Sequence, residues 1–174
     1  TFTCVWAKGD GTEASPFVIS TIAELGELRK AVNAEKHLEG VYFELGNDLD
    51  FEGVEFGTIG QIGSEAQKSA RWFAGNFDGK NHVIKNLTIN TAQRFVALFG
   101  QIKNATIKNL GIENSTFRQQ GNFYAAGIVS LANNSEISNC FVKNTTVNVK
   151  CASGSNGQYA GGIVSQATGT TKIN

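Results

Sequence analysis

Apolar and polar positions follow two different periods along this chain, and the change of period organises the reading. From Thr21 to Asn33, apolar residues at Ile22, Leu25, Leu28 and Val32 recur at helical spacing and make one face. Thr21 followed three residues later by Glu24 is a capping box, with Glu24 and Glu27 near the positive end of the dipole and Arg29 and Lys30 near the negative end. A helix over 21–34 is predicted. Val41 to Leu45 is rich in β-formers, Gly46-Asn47 reads as a turn, and Asp48-Leu49-Asp50-Phe51 alternates, so a strand with a corner follows.

From residue 84 a self-similar unit takes over, and a repeat of this kind outranks single-residue reasoning. Ile84-Lys85-Asn86-Leu87-Thr88-Ile89 returns 23 residues later as Ile107-Lys108-Asn109-Leu110-Gly111-Ile112, and 30 residues further on as Ile137-Ser138-Asn139-Cys140-Phe141-Val142. A companion segment recurs in step: Ala97-Leu98-Phe99-Gly100, Gly127-Ile128-Val129-Ser130 and Gly162-Ile163-Val164-Ser165. The pattern is too short for a helix but suits two strands meeting at a corner, where Asn tolerates the left-handed conformation. If coils stack in parallel, Ile84, Ile107 and Ile137 form one buried ladder, and Leu87, Leu110 and Cys140 form another. Asn86, Asn109 and Asn139 are then expected to stack in a column.

Because the repeat length varies while its apolar pattern is kept, the extra residues must leave the stack as loops, here 118–124 and 151–159. Insertions in solenoids gather on one face, which is often the binding face. The candidate ligand contacts are therefore Asn122, Tyr124, Asn156, Gln158 and Tyr159. Tyr124 and Tyr159 hold equivalent places ahead of small residues, where a stacked pair grips a sugar or a peptide, or simply covers an apolar edge.

Composition changes the picture at residue 75. Of 17 Asn, only Asn33 and Asn47 precede it, and the net charge is −6 before it and +6 after it, for zero overall. Without a Pro- or Ser-rich linker, this reads as one domain with an acidic end: a cap and first coil over 1–75, and repeat coils over 76–174. Zero net charge argues against a nucleic-acid partner, and no run approaches the roughly 18 apolar residues needed to cross a bilayer. Cys4, Cys140 and Cys151 form no CxxC pair, so they are buried small thiols or at most one bridge. The last companion segment is followed only by a partial corner ending Lys172-Ile173-Asn174, which predicts further repeats or another domain at that edge and a longer natural chain.

Several ordered motifs carry a family resemblance. Gly9-Asp10-Gly11-Thr12 through Pro16-Phe17-Val18-Ile19, the helix with Glu24-Leu25, Tyr42-Phe43 through Asp48-Leu49-Asp50, and Phe73 to Gly79 through His82 resemble the opening of bacterial GLUG-repeat surface proteins. The later segments look like the repeats themselves, although the family's Gly-Leu-x-Gly survives only in part. The resemblance implies an all-β, right-handed parallel β-helix (β-solenoid) with an N-terminal capping α-helix, on an exported, extracellular or cell-surface, adhesin-like protein. Some members of that family precede immunoglobulin-cleaving metallopeptidases, but this chain has no His-Glu-x-x-His.

The chain carries few residues in patterns that point to chemistry. Asp48 and Asp50 point the same way on a strand, as a calcium site, an acid and base pair, or merely an outward face would require. His82 follows Asp78 by four in a run that reads as a turn, and His37 reads as a solvated residue after the helix. Five Asn-x-Ser/Thr sequons, at Asn86, Asn104, Asn114, Asn133 and Asn144, fall where corners favour Asn and Thr. No cofactor, metal or catalytic residue is expected. The functional expectation is a non-catalytic module that binds a host or bacterial surface glycan or protein, or serves as a stalk. The alternative is a carbohydrate-active enzyme, for which only Asp78, Glu113 and Glu136 are available beyond residue 75.

Overall fold

The structure, a computed structural model, describes residues 6–60, 71–121, 123–150 and 157–174. The strands form five sheets, and all the recorded strand pairings are parallel. The chain therefore winds as a β-solenoid of stacked coils.

One sheet is six-stranded, stacking Phe17–Ile19, Tyr42–Leu45, Asn76–Asp78, Thr106–Lys108, Glu136–Ser138 and Lys172–Ile173. A four-stranded sheet stacks Leu49–Asp50, Val83–Lys85, Gly111–Glu113 and Phe141–Lys143. Three smaller sheets complete the windings that begin at Asn76, Thr106 and Glu136. The threonine face stacks Thr88–Thr91, Thr116–Gln119 and Thr146–Val149; the tyrosine face stacks Phe95–Val96, Tyr124–Ala126 and Tyr159–Gly161; the closing face stacks Phe99–Lys103, Val129–Asn133 and Val164–Thr168.

Residues point alternately in and out along each short strand, so in-register stacking turns single apolar positions into columns. Phe43, Phe77, Ile107 and Ile137 make one such column, each at most 1% exposed. Leu49, Ile84, Ile112 and Val142 make a second, and Ile89, Phe117 and Val147 a third. The helix, Ile22–Asn33, carries the predicted capping box and closes the stack with Leu25, Leu28 and Val32, all at 0% exposure. Trp6 packs beneath it, its ring 4.9 Å from Phe17 and 5.1 Å from Phe43, with its indole N–H donating to the Glu24 carbonyl at 3.1 Å. None of the described helices is long and apolar enough to cross a membrane.

The stacking principle holds, but its register differs from the sequence expectation. Ile107 does lie on Ile137, whereas Ile84 lies on Ile112, so Ile84 does not belong to that column. The 23-residue spacing linked two different corners of the winding, because Ile107-Lys108-Asn109 and Ile112-Glu113-Asn114 obey the same rule five residues apart. Leu87 likewise neighbours Ser115, whose Oγ accepts its N–H at 3.1 Å, and not Leu110. Cys140 is half-buried against the core, with burial pushing its thiol up from the ordinary value.

The asparagine column is correspondingly more than one column. Asn109 and Asn139 stack, the Asn139 amide donating to Asn109 Oδ1 at 3.3 Å. Asn86 instead begins a row continued by Asn114 and Asn144, and Asn104 and Asn134 make another. All seven have φ between 47° and 59°. Asn serves this left-handed corner at lower cost than other side chains, and the corner N–H groups of all but Asn144 donate to a carbonyl of the next coil, as Asn109 does to Ser138 at 3.0 Å and Asn114 to Lys143 at 3.1 Å. Four of the five sequons, all but that at Asn133, follow from the same geometry. A corner Asn two residues before an outward Thr that opens the next strand, as at Asn86 and Thr88 or Asn104 and Thr106, spells one automatically.

Candidate functional site

The tyrosine face is assembled by stacking. Phe95, Tyr124 and Tyr159 are register partners on successive coils, with ring centroids 5.1 Å apart for the first pair and 5.3 Å for the second. The two tyrosine rings are parallel to within 4°. Arg94 lies over this row, its guanidinium 5.7 Å from the Phe95 ring, 5.0 Å from Phe123 and 5.6 Å from Tyr124. Leu131 packs against Phe95 and Tyr124 from the closing face.

A buried glutamine holds the approach to Tyr124. Gln119 is 1% exposed, and its Oε1 accepts the N–H groups of Gly121 at 2.8 Å and Phe123 at 3.1 Å, while its Nε2 donates to the Gln93 carbonyl at 2.8 Å. The side chain supplies the partners that a turn leaving the sheet would otherwise lose. Arg118 and Gln119 therefore belong to a strand, and the loop is shorter than expected. Gln158 is half-buried beside Tyr159, and Asn122 and Asn156 lie outside the described residues. Tyr159 stacks on one face of the Tyr124 ring and Phe95 packs against Tyr124 at a 46° tilt, with Tyr159 the most open of the row at 43% exposure.

The outward carboxylates are matched by cations from the next coil. Glu44 faces Lys80 at 3.6 Å, Asp78 faces Lys108 at 3.5 Å, and Glu113 faces Lys143 at 3.8 Å. Burial raises Asp78, yet the Asn109 amide, the Lys80 N–H and Lys108 outweigh it and hold the carboxyl below its ordinary value. Asp48 is held low by the Val83 N–H at 3.0 Å, helped by His82 at 3.2 Å and Lys85 at 3.7 Å. Asp50 is held low by the Asn86 amide at 2.8 Å and the Glu52 N–H. Among the described residues no group of three or more His, Cys, Asp or Glu converges. Asp78 does brace its own turn, accepting the Lys80 N–H at 2.8 Å, while His82 turns to Asp48. His37 is not simply solvated: its ring stacks on Trp72 at 3.8 Å.

Asp78, Glu113 and Glu136 do not come together, Glu113 lying on the four-stranded sheet and the other two on different strands of the six-stranded one. The pairing that sequence reasoning missed is Glu44 with Asp78, register partners on adjacent strands. Both line a cleft of about 580 Å³ on the six-stranded face, together with Glu13, Pro16, Tyr42, Asn76, Thr106, Lys80 and Lys108. The signal was present as Tyr42-Phe43-Glu44, Asn76-Phe77-Asp78 and Thr106-Ile107-Lys108, each a polar, apolar, charged triplet.

Comparisons with known proteins add the following. No family model matches the chain. A protein of Evansella cellulosilytica named "Putative Gly-rich membrane protein" is 30% identical over 122 residues, covering 67% of this chain and 13% of that protein. A crystal structure named for a "putative immunoglobulin A1 protease" from Bacteroides ovatus superposes with a TM-score of 0.59 at 18% identity, over 97% of this chain and 66% of that one. The chain thus spans a small part of the first protein and about two thirds of the second. The structural likeness shows the fold: the β-solenoid is shared.

Proposed function

We propose that this chain is a non-catalytic β-solenoid module of a secreted or surface-anchored bacterial protein, with the tyrosine face as its contact surface for a surface glycan or protein. The observation that carries the non-catalytic reading is the state of the carboxylates. Glycoside cleavage needs one carboxyl raised so that it stays protonated as an acid, whereas Asp48, Asp50 and Asp78 are all held low and Glu44, Asp78 and Glu113 face lysines. A ladder of this kind stabilises a stack. The Evansella protein is named as a membrane protein, which agrees with a place at the cell surface. The half-buried Val142, Val147, Val149, Ile163 and Val164 offer an apolar layer on which another coil or domain would sit.

The Glu44 and Asp78 pair in its cleft is the observation that keeps an enzymatic reading in view. One experiment separates the two. The chain is screened on a glycan array and against a panel of surface proteins, and in parallel incubated with polysaccharides while new reducing ends are measured. Binding that is lost in Tyr124→Ala with Tyr159→Ala, without new reducing ends, is the expected result. Reducing ends that disappear in Asp78→Asn would replace the module by an enzyme.

A further inference from the structure

We infer that the cleft on the six-stranded face is a second binding site, and that it takes a neutral oligosaccharide laid along the solenoid axis. The site lies on a different sheet from the tyrosine row, so it stands apart from the contact surface proposed above.

The cleft has a preformed wall and floor. Its wall is the loop 9–16, in which Asp10 Oδ1 accepts the Thr12 N–H at 3.0 Å and hydroxyl at 2.7 Å, and the N–H groups of Asp10 and Gly11 donate to the Ser15 carbonyl at 2.9 and 3.0 Å. Gly11 is required there: its φ is +82° and a Cβ would meet the Phe17 ring at 2.5 Å. The loop is tied to the sheet through the Tyr42 N–H, which donates to the Gly11 carbonyl at 2.9 Å. Little ordering cost is left for a ligand to meet.

The floor, opposite this single wall, is a register column of polar side chains, Tyr42, Asn76 and Thr106, all half-buried. The phenol, carboxamide and hydroxyl of these three have no partner among the described residues. A phenol and a hydroxyl each donate and accept, and a carboxamide does both at once, which is what a ring of sugar hydroxyls needs. The strand spacing of about 4.8 Å places one such group at each coil, so a chain lying along the axis meets them in turn. Pro16 and the Tyr42 ring add apolar surface for the C–H side of a pyranose.

Charge selects among glycans. Lys80 and Lys108 already face Glu44 and Asp78, leaving the exposed Glu13 carboxylate at the rim without a cation among the described residues. A uronate or sulfated chain would meet that negative charge with no lysine to spare, whereas a neutral chain is not repelled.

The test titrates the isotope-labelled chain with cellohexaose, laminarihexaose and mannohexaose, and with hexagalacturonate as the acidic probe, following amide shifts by NMR. A neutral hexaose is expected to shift amides of residues 13–16, 42–44, 76–78 and 106–108. Asn76→Ala with Thr106→Ala is expected to weaken it about tenfold at unchanged melting temperature, with Tyr124→Ala plus Tyr159→Ala leaving it intact. No shift with any neutral probe at millimolar concentration, equal binding of hexagalacturonate, or shifts confined to the tyrosine face would each overturn the proposal. Loss of array binding in the tyrosine variants does not bear on this site, so the two readings fail separately.

Discussion

The windings next to the helix and the last described winding follow one plan, yet they bury their inward residues very differently. Phe43 and Phe77, near the cap, are each 1% exposed, while Ile173, on the same sheet at the far end, is 50% exposed. Val147 and Val149 on the last strand of the threonine face are half-buried, against 0% for Phe117 one coil below. A coil in a solenoid buries its apolar column only against neighbours above and below it. Burial in this chain is therefore complete from the first coil through the middle ones and falls only at the last described winding, and the helix does for the first coil what stacked coils do for the middle ones.

Removing the cap should have the largest effect. Leu25→Asp places an unpaired carboxylate at a position with 0% exposure, and should destabilise the 174-residue chain by about 4 kcal/mol or more. Chemical denaturation followed by circular dichroism measures it, and an unchanged midpoint would show that the helix does not close the stack. The next step sharpens the gradient. Phe77→Ala, in the buried column, should cost about 3–5 kcal/mol, whereas Val147→Ala, already half-exposed, should cost under about 1 kcal/mol. Equal losses would mean that the far coil is as well packed as the cap side.

Much of this plan was legible in the sequence. Thr21, Glu24 and the apolar face of the helix are local signals, and they gave the element to within a residue. The parallel stack was legible from the recurrence of an apolar, polar, polar, apolar, any, apolar pattern with Asn always third. The register was not, because successive corners impose the same demand and Ile107-Lys108-Asn109 looks as much like Ile84-Lys85-Asn86 as its true neighbour does. The stacking of Tyr124 on Tyr159 could be read from their common place ahead of small residues. The cleft could not, since it depends on the Gly9 to Pro16 loop folding back beside strands that lie far away in sequence. The Glu44 and Asp78 pairing was hidden by treating the two sides of residue 75 as separate stores of carboxylates.

A smaller perturbation tests the corners themselves. Asn109→Ala keeps the backbone but must place alanine at φ 53° and drops the amide that donates to Asp78 at 2.9 Å. It should cost about 1–2 kcal/mol, and Asn109→Gly should cost less, because glycine enters this conformation freely. If glycine proves worse than alanine, the side-chain bonds outweigh the corner geometry. The equivalent change at Asn144, on the last coil with φ 48°, should cost less than at Asn109, repeating the axial gradient with a polar residue.

Acid should narrow that gradient, and this is the smallest expected effect. Asp48, Asp50 and Asp78 all lie on the coils nearer the cap, and each is held below the ordinary value of 3.8 by N–H donors and lysines of the folded state. A carboxyl lowered on folding contributes stability that is fully present above 3.8 and is lost as pH falls through its folded value. The outward residues farther along the stack include the lysines Lys143, Lys150 and Lys172, with Glu113 and Glu136 the carboxylates there. Between neutral pH and pH values below that of an ordinary carboxylate, amide hydrogen exchange at Phe43 and Phe77 should therefore accelerate more than at Val147, after correction for the intrinsic rate. Asp78→Asn should remove part of that difference, since it keeps the turn but no longer titrates. A uniform loss of protection along the axis would instead assign the acid response to global unfolding and leave the carboxylate ladder without a local role.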